Sequence, residues 1–192
     1  MILYFNPASP HCRVVRLLAR YLEVELEELS LAQEQHAQLL RRSSPLGLAP
    51  CLLTDAGSLY DHGLICRFLD DRFGDGHFHR RLAGNWNMAK LATTLSGLMD
   101  SAVQLQHEKR REAPQSSELQ RHLLSLQLGL GLIRESLNHF PKTTSIFSLR
   151  LLALLDYLDG YHPECRWREQ QHGLVAWQAQ QQDEFTQAVP AQ

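Results

Sequence analysis

The sequence predicts a mixed α/β domain followed by an all-helical domain. Three observations support this fold class. Short apolar runs alternate with amphipathic helical segments in residues 1–74, a glycine-containing linker follows at residues 75–82, and only helical periodicity is found in residues 83–192. A chain of 192 residues is long enough for two small domains that share an interface.

The first part of the α/β domain predicts two strands joined by a helix. Residues 1–5 form a continuous apolar run, which is typical of a buried central strand. Residues 10–22 place their apolar side chains on one helical face, and residues 24–29 alternate Val or Leu with Glu, as in a strand with one wet face. Residues 32–42 predict a polar second helix, which ends at a Ser-Pro-Leu-Gly segment.

The rest of this domain predicts a hairpin and a third helix. Short strands at Cys51–Thr54 and residues 58–60 flank Asp55-Ala56-Gly57, which suits a tight turn. A helix over residues 64–73 follows. The resulting order is βαβαββα, with a helical crossover between the first two strands and a tight turn between the last two. That order is the thioredoxin-like arrangement.

The second domain predicts helices only. They cover residues 85–111, 116–140, 145–158 and 173–182. The third of these helices is almost wholly apolar on one side, which indicates a central buried helix. It begins with the spacing of a capping box, in which Ser148 takes the place of the usual Glu or Gln.

Composition argues against several classes of protein. The formal net charge is −2, so no global charge favours nucleic acid or an anionic membrane as a partner. No apolar run reaches the ~18 residues that span a bilayer. The short apolar run at the start has no basic region before it, so we expect no signal peptide and a cytoplasmic protein.

The cysteines and histidines do not predict a disulfide framework or a metal site. The cysteines show no paired C-x-x-C spacing; they are Cys12, Cys51, Cys66 and Cys165. Two pairs have the spacing of half a metal site, namely His77 with His79 and His162 with Cys165. Neither is matched by a second paired half, so we expect loop and linker side chains and no metal.

The turn at residues 9–13 is the candidate site for chemistry. It follows the first strand directly and begins the first helix, so its backbone N–H groups and the helix dipole favour an anion. A hydroxyl or thiol at this place is suited to stabilise or to become an anionic sulfur. Ser9 and Cys12 are the side chains of these two types.

An ordered set of motifs covers nearly the whole chain. They lie at residues 4–10 with Arg13, Val15 and Arg16, at residues 44–52, 58–62, 65–66, 68–70, 97–103 and 155–159, and at Ala176, Trp177, Phe185, Thr186 and Pro190. Taken in register, these residues resemble the soluble, cytosolic glutathione transferases, above all the bacterial members with a Ser-Pro active-site turn.

The resemblance implies a glutathione site in the first domain. Ser9 matches the residue whose hydroxyl hydrogen-bonds the glutathione sulfur and stabilises the thiolate. Arg13 would add positive charge nearby, unless it is a surface or ion-paired arginine. Ala49 would precede a cis-proline, Pro50, and pair through its backbone with the cysteinyl part of glutathione, while Asp61 would pair with the ammonium of the γ-glutamyl part.

Three positions depart from the family pattern. His62 stands where the family has a serine that donates to the γ-glutamyl carboxylate; a histidine N–H still donates, but it is bulkier and its charge depends on pH. Leu48 stands where a lysine is common, and Gly63 where an arginine is frequent. Both changes remove positive charge near an anionic tripeptide, so we expect weakened or altered glutathione binding, which calorimetry tests.

The second substrate would lie between the Ser9 turn and the first long helix of the second domain. Four side chains are spaced to face that cleft, namely Met99, Val103, Gln106 and His107. The alternative is that they are ordinary core and solvent-facing residues. Family members pair through both domains, which implies a homodimer.

Three functions remain to be compared. The resemblance implies an enzyme that conjugates glutathione, as co-substrate, to a small hydrophobic electrophile. Residues 9–12 also look like a glutaredoxin Cys-Pro-x-Cys motif with its first cysteine replaced, which would leave Cys12 for glutathione-dependent thiol-disulfide exchange. The third is a non-catalytic binding or regulatory protein on the same scaffold, for which the changes at Leu48, His62 and Gly63 would be expected.

Overall fold

The computed structural model of the chain describes residues 1–80, 82 and 84–181. Its first part contains the strands β1 (Ile2–Phe5), β2 (Glu27–Ser30), β3 (Cys51–Thr54) and β4 (Gly57–Tyr60), and the helices α1 (Pro10–Tyr21), α2 (Glu34–Ser43) and α3 (His62–Phe73). Along the chain the order is βαβαββα. The thioredoxin-like fold predicted for this part is confirmed.

The four strands form one mixed sheet in the order β2-β1-β3-β4. β1 runs parallel to β2, antiparallel pairing joins β1 to β3, and β3 pairs antiparallel with β4. Helix α1 is the crossover between the parallel pair, and a tight turn joins β3 to β4. Side chains of β1, α1 and α3 share one hydrophobic core with the helical part.

Strand β2 begins later than residue 24, where the sequence predicts it. After α1 ends, Glu23 adopts a φ of 54°, and the Val24 N–H donates to the Ala19 carbonyl at 2.9 Å. Val24 and Leu26 pack against the core from this turn. The alternation of apolar and acidic residues that suggested a strand from residue 24 therefore belongs to a partly buried connection. Strand pairing starts only at Glu27, opposite Ile2.

Helices make up the second part. The long ones are α5 (Trp86–Lys109), α6 (Ser116–Ser136) and α7 (Ile146–Tyr161), and the short ones after them are α8 (Trp167–Gln170) and α9 (His172–Gln180), with 3₁₀ turns at Leu137–His139 and Pro163–Cys165. Helix α7 is central, because most of its residues are buried and it packs on both α1 and α5. The expected capping box is present: Ser148 Oγ accepts from the Ser145 N–H at 2.8 Å, and Ser145 Oγ accepts from the Ser148 N–H at 3.3 Å.

The connection between the two parts contains a short helix, α4 (His77–Arg80). Asp70, fully buried in α3, accepts from the N–H groups of Phe78 at 3.1 Å and His79 at 2.8 Å, and His79 Nδ1 lies 2.8 Å from the same carboxylate. This clamp fixes the direction in which the chain leaves α3.

The domain boundaries themselves stay a prediction. Three motif residues, Phe185, Thr186 and Pro190, lie outside the described residues.

Candidate functional site

Three segments meet at one edge of the sheet because of the strand register. β1 and β3 pair so that Tyr4 faces Cys51, and β3 and β4 pair so that Cys51 faces Tyr60. The turn after β1, the loop before β3 and the turn after β4 therefore lie side by side. These segments carry Ser9, Ala49 with Pro50, and Asp61 with His62.

Ser9 is the N-cap of α1. Its backbone is extended, its N–H donates to the Asn6 carbonyl at 3.0 Å, and its Oγ accepts from the Cys12 N–H at 3.4 Å. Pro10 occupies the first helical position, and the first turn contains no acidic side chain. The half-buried hydroxyl thus lies at the positive end of a helix, a place that favours an anion such as a thiolate.

Cys12 is buried behind this turn. Its side chain is 1 % exposed, and its Sγ accepts from the Asn6 N–H at 3.3 Å. Burial raises the pKa of the Cys12 thiol to about 11, although the Asn6 backbone and the Ser9 hydroxyl act in the opposite direction. The thiol is therefore protonated at neutral pH and shielded from other thiols, which disfavours thiol-disulfide exchange at Cys12.

The loop before β3 contains a cis peptide bond between Ala49 and Pro50. The resemblance implies this geometry. Pro50 is buried and Ala49 half-buried, so the loop presents the backbone of Ala49 at the sheet edge beside the Ser9 turn.

Asp61 is the N-cap of α3. Its Oδ1 accepts from the N–H groups of Gly63 at 2.7 Å and Leu64 at 3.4 Å, and its backbone has a φ of 73°. Residues other than glycine rarely adopt such a conformation, and the exceptions cluster at functional sites. A hydrogen bond from His62, aided by its charge and by the two backbone donors, holds the pKa of the Asp61 carboxyl well below its usual range. The result is a fixed, two-thirds exposed anion at the sheet edge.

A narrow cleft separates the Ser9 turn from α7. Its volume is about 10 Å³, and its walls are Pro7, Ala8, Ser9, Pro10, Arg13, Ala153, Asp156 and Tyr157. The first domain supplies the polar hydroxyl of Ser9. Helix α7 supplies an aromatic wall through Tyr157, the pKa of which burial raises to about 12, so that its phenol is uncharged.

The comparisons agree with this arrangement. The family model for the "Glutathione S-transferase, N-terminal domain" matches residues 3–77. A glutathione transferase family member from Pseudomonas fluorescens Pf-5 with bound glutathione is 26% identical, with a TM-score of 0.82 over 100% of this chain and 98% of that chain. A glutathione S-transferase from Methylobacillus flagellatus KT with bound glutathione is 22% identical, with a TM-score of 0.86 over 100% of this chain and 99% of that chain.

Residues 3–77 belong to the glutathione S-transferase N-terminal domain family, and the whole chain has the fold of the glutathione transferases that it matches. The Pseudomonas fluorescens protein also has a structure with bound S-(propanoic acid)-glutathione, which this chain matches with a TM-score of 0.78 at 26% identity over 98% of both chains. No match is found among proteins with curated descriptions.

His62 is buried at the start of α3. Its Nδ1 lies 3.5 Å from Asp61 Oδ2, and its ring packs against that of His11 with 4.7 Å between the centroids. Burial lowers the pKa of His62, and the charges of His11 and Arg150 lower it further, while Asp61 acts in the opposite direction. The ring of His62 therefore turns into the protein rather than out over the sheet edge.

The other two departures leave the site without the expected basic side chains. Leu48 is 65 % exposed, so its apolar side chain faces solvent where the family commonly has a lysine. Gly63 packs beside Asp61, and a Cβ added at this glycine would lie 3.0 Å from Asp61 Oδ1. A larger residue at position 63 would have to shift the Asp61 carboxylate.

Arg13 links the two parts of the chain. Its Nη2 lies 2.6 Å from Asp156 Oδ2 of α7, and the two side chains are 11% and 18% exposed. Burial lowers the pKa of Arg13 and raises the pKa of Asp156, so desolvation outweighs the attraction within the pair. Arg13 is therefore an ion-paired arginine, and its pairing with Asp156 orients the guanidinium toward α7.

The residues expected at the second-substrate pocket lie in different environments. Met99 is fully buried in the core, so the alternative of an ordinary core residue is the arrangement present. Val103 packs partly buried against the same core, and His107 is exposed. Gln106 is half-buried with an Oε1 that has no hydrogen-bond partner in the described part of the chain.

Sequence reasoning missed four side chains of the site region. Ala153 and Tyr157 line the cleft, while Asp100 and Arg150 lie near the histidines at the start of α1 and α3. One sequence signal was present: Arg150 is the only charged residue in the apolar stretch between Ile146 and Leu155. A charge in a central helix indicates a partner that folding brings from elsewhere.

Residues 1–80, 82 and 84–181 contain no group of metal-ligating side chains with the geometry of a site. His79 is bound to Asp70, and His162 contacts the Ala102 carbonyl at 2.9 Å and Glu164 at 3.3 Å. In the same residues, no helix combines the length and the apolar character that crossing a membrane requires.

Proposed function

We propose that this chain is a glutathione transferase that joins the sulfur of glutathione to a small hydrophobic electrophile. The observation that carries the proposal is the meeting of Ser9, the Ala49–Pro50 loop and Asp61 at one edge of the sheet. Each of the three supplies a contact of a different kind, and together they suit a thiol tripeptide with an ammonium group at one end.

The proposed chemistry begins at Ser9. Its hydroxyl donates a hydrogen bond to the glutathione sulfur, and the N-terminus of α1 adds its dipole, so the thiolate is stabilised over the thiol. A free thiol has a pKa of ~8.5, and each unit by which the site lowers it corresponds to ~1.4 kcal/mol of differential stabilisation. The thiol gives its proton to water, the thiolate attacks the electrophilic carbon with its electron pair, and a leaving group such as halide departs with the electrons of its own bond.

The remaining contacts hold the ends of the two substrates. The backbone of Ala49 pairs with the cysteinyl part of glutathione, and the Asp61 carboxylate is the counter-ion of the γ-glutamyl ammonium. The electrophile lies at the cleft between Ser9 and Tyr157, with Val103, Gln106 and His107 of α5 as further candidate contacts. The cleft is only about 10 Å³, room for about one water molecule, so the electrophile would lie at its mouth beside Ser9 rather than inside it.

The test is Ser9→Ala, assayed with glutathione and an electrophilic aryl halide. We expect kcat to fall about 10-fold to 100-fold, because one hydrogen bond to a charged sulfur is lost, whereas calorimetry finds glutathione binding within about threefold of the wild type. Ser125→Ala on α6 is the matched control, since its hydroxyl contacts only the Arg121 carbonyl in the helical part. Equal activity of Ser9→Ala and the wild type would contradict the role of Ser9.

The same assay separates the transferase from a non-catalytic binding protein on this scaffold. The narrow cleft and the absence of basic side chains at positions 48 and 63 favour that second function. It predicts that the wild type binds glutathione by calorimetry and yet gives no conjugate with any of a panel of aryl halides, alkyl halides and enones.

We further propose that the chain acts as a homodimer in the cytoplasm and serves detoxification of electrophiles. Support for self-association comes from three exposed leucines spaced by four along α6, namely Leu124, Leu128 and Leu132, which are 54%, 66% and 39% exposed. Light scattering should give twice the mass of 22.0 kDa for the wild type and the monomer mass for Leu128→Glu. A monomeric wild type would contradict the homodimer.

A further inference from the structure

Four titratable side chains form a row that crosses from the helical part into the α/β part. Asp100 Oδ1 of α5 lies 2.9 Å from His11 Nε2 of α1, an ion pair that is not aligned as a hydrogen bond. The His11 ring packs on the His62 ring with 4.7 Å between centroids, and His62 Nδ1 lies 3.5 Å from Asp61 Oδ2. We call Asp100, His11, His62 and Asp61 the histidine row.

Two further titratable side chains lie close to the histidine row, namely Arg150 and Cys66. Arg150 of α7 is buried, and its positive charge opposes protonation of His62. Cys66 of α3 is fully buried, and burial raises the pKa of its thiol to about 12, so it is uncharged at neutral pH. With two carboxylates and one guanidinium present, the charges balance when the two histidines hold one proton between them.

Several contacts favour the neutral form of His62. The carboxylate contact of His11 is shorter, at 2.9 Å against 3.5 Å for His62. Asp61 already accepts two backbone N–H groups, whereas no backbone donor to Asp100 is found in the described part of the chain. Arg150 acts on the charge of His62.

The second ring nitrogen of His62 also favours the neutral form of this side chain. His62 Nε2 is buried, and no hydrogen-bond partner for it is found among the described residues. A charged imidazolium would bury an N–H of a cation without an acceptor, which is costly. A neutral ring with its proton on Nδ1, toward Asp61, avoids that cost.

We propose that His11, held by Asp100, is a positioning residue that keeps His62 uncharged, so that the Asp61 carboxylate stays available for the γ-glutamyl ammonium of glutathione. This inference rests on the proposed function, because it takes glutathione as the ligand. A protonated His62 would be a competing cation at the same carboxylate. Glutathione affinity therefore falls on acidification in the range where His62 takes up a proton, and His11 moves that range to lower pH.

The first experiment follows the histidine ring signals by NMR as a function of pH, without ligand. In His11→Gln the midpoint of His62 should rise by about half a pH unit, because a like charge is removed while Asp100 remains. His139→Gln, at an exposed histidine outside the row, should leave the His62 midpoint unchanged. An unchanged His62 midpoint in His11→Gln would overturn the proposal.

The second experiment measures glutathione binding by calorimetry at pH 6.0 and pH 8.0. His11→Gln should bind more weakly than the wild type at pH 6.0 and equally at pH 8.0; the difference is at most about threefold, because a half-unit shift has its full effect only below both His62 midpoints. His62→Gln should lose the pH dependence. The same ratio of affinities at both pH values would overturn the role of His11. A wild type without binding heat at either pH would instead contradict the proposed function, and the NMR titration would still test where the proton lies.

Discussion

The starts of α1 and α3 lie at the same sheet edge, and they are built differently. At α1, a neutral hydroxyl caps the helix from an extended backbone, and a proline follows it. At α3, a carboxylate caps the helix from a φ of 73°, and a buried histidine follows it. The proposed thiol end of the site therefore depends on backbone geometry and a dipole, whereas the proposed γ-glutamyl end depends on charges that titrate.

This difference indicates which end of the proposed site should respond to pH and which should not. A serine, a proline and a helix terminus give nearly the same field at every pH at which the protein is folded. A carboxylate next to a histidine gives a field that changes with pH. Two of the three departures from the family pattern, His62 and Gly63, fall on the second of these turns, beside its charge.

The largest expected effect concerns what holds the α1 turn in place. Asp156→Ala removes the carboxylate that faces the buried Arg13 guanidinium and should lower the free energy of unfolding by about 3 kcal/mol. Urea denaturation measures this loss in the free energy of unfolding. The control is Asp71→Ala, whose exposed ion pair with Arg67 at 3.7 Å should contribute less than about 0.5 kcal/mol. Similar losses in both variants would show that the α1 turn does not depend on α7.

The second prediction compares the two caps directly. Asp61→Ala removes two accepted backbone hydrogen bonds and leaves alanine at a positive φ, so the loss should be about 1–2 kcal/mol. Ser9→Ala removes a single bond of 3.4 Å and should cost about 0.5 kcal/mol. Thermal unfolding compares the two variants. Asp61→Asn is the control, because asparagine keeps a side-chain acceptor for the cap and adopts a positive φ more readily than alanine does. A larger loss for Ser9→Ala would reverse the comparison.

Much of the fold and part of the site follow from sequence patterns, because those patterns are local. The order of strands and helices comes from periodicity, and Ser9 is recognised by its place after a strand and before a helix, whereas Asp61 was implied by the family resemblance. The cis bond before β3 was implied by the motif around Pro50.

The contacts between the two parts of the chain did not follow from sequence. The pairing of Arg13 with Asp156, and the row from Asp100 to His62, join residues far apart in sequence because α7 packs on both α1 and α5. Met99 shows the same limit: helical spacing gives a face, but only packing decides whether that face meets core or cleft.

The smallest expected effect concerns a lost charge rather than a contact. Leu48 is 65 % exposed, so Leu48→Lys should leave the free energy of unfolding within about 0.5 kcal/mol of the wild type. If the new cation faces the anionic tripeptide, glutathione affinity rises about twofold to fivefold at low salt, and the gain disappears at about 1 M salt. Leu46→Lys is the matched control, because Leu46 is similarly exposed at 57 % in the same loop. An equal gain in both variants would mean that net charge, and not the position of Leu48, controls affinity; a gain in Leu48→Lys alone would locate the anionic end of glutathione beside the Ala49–Pro50 loop.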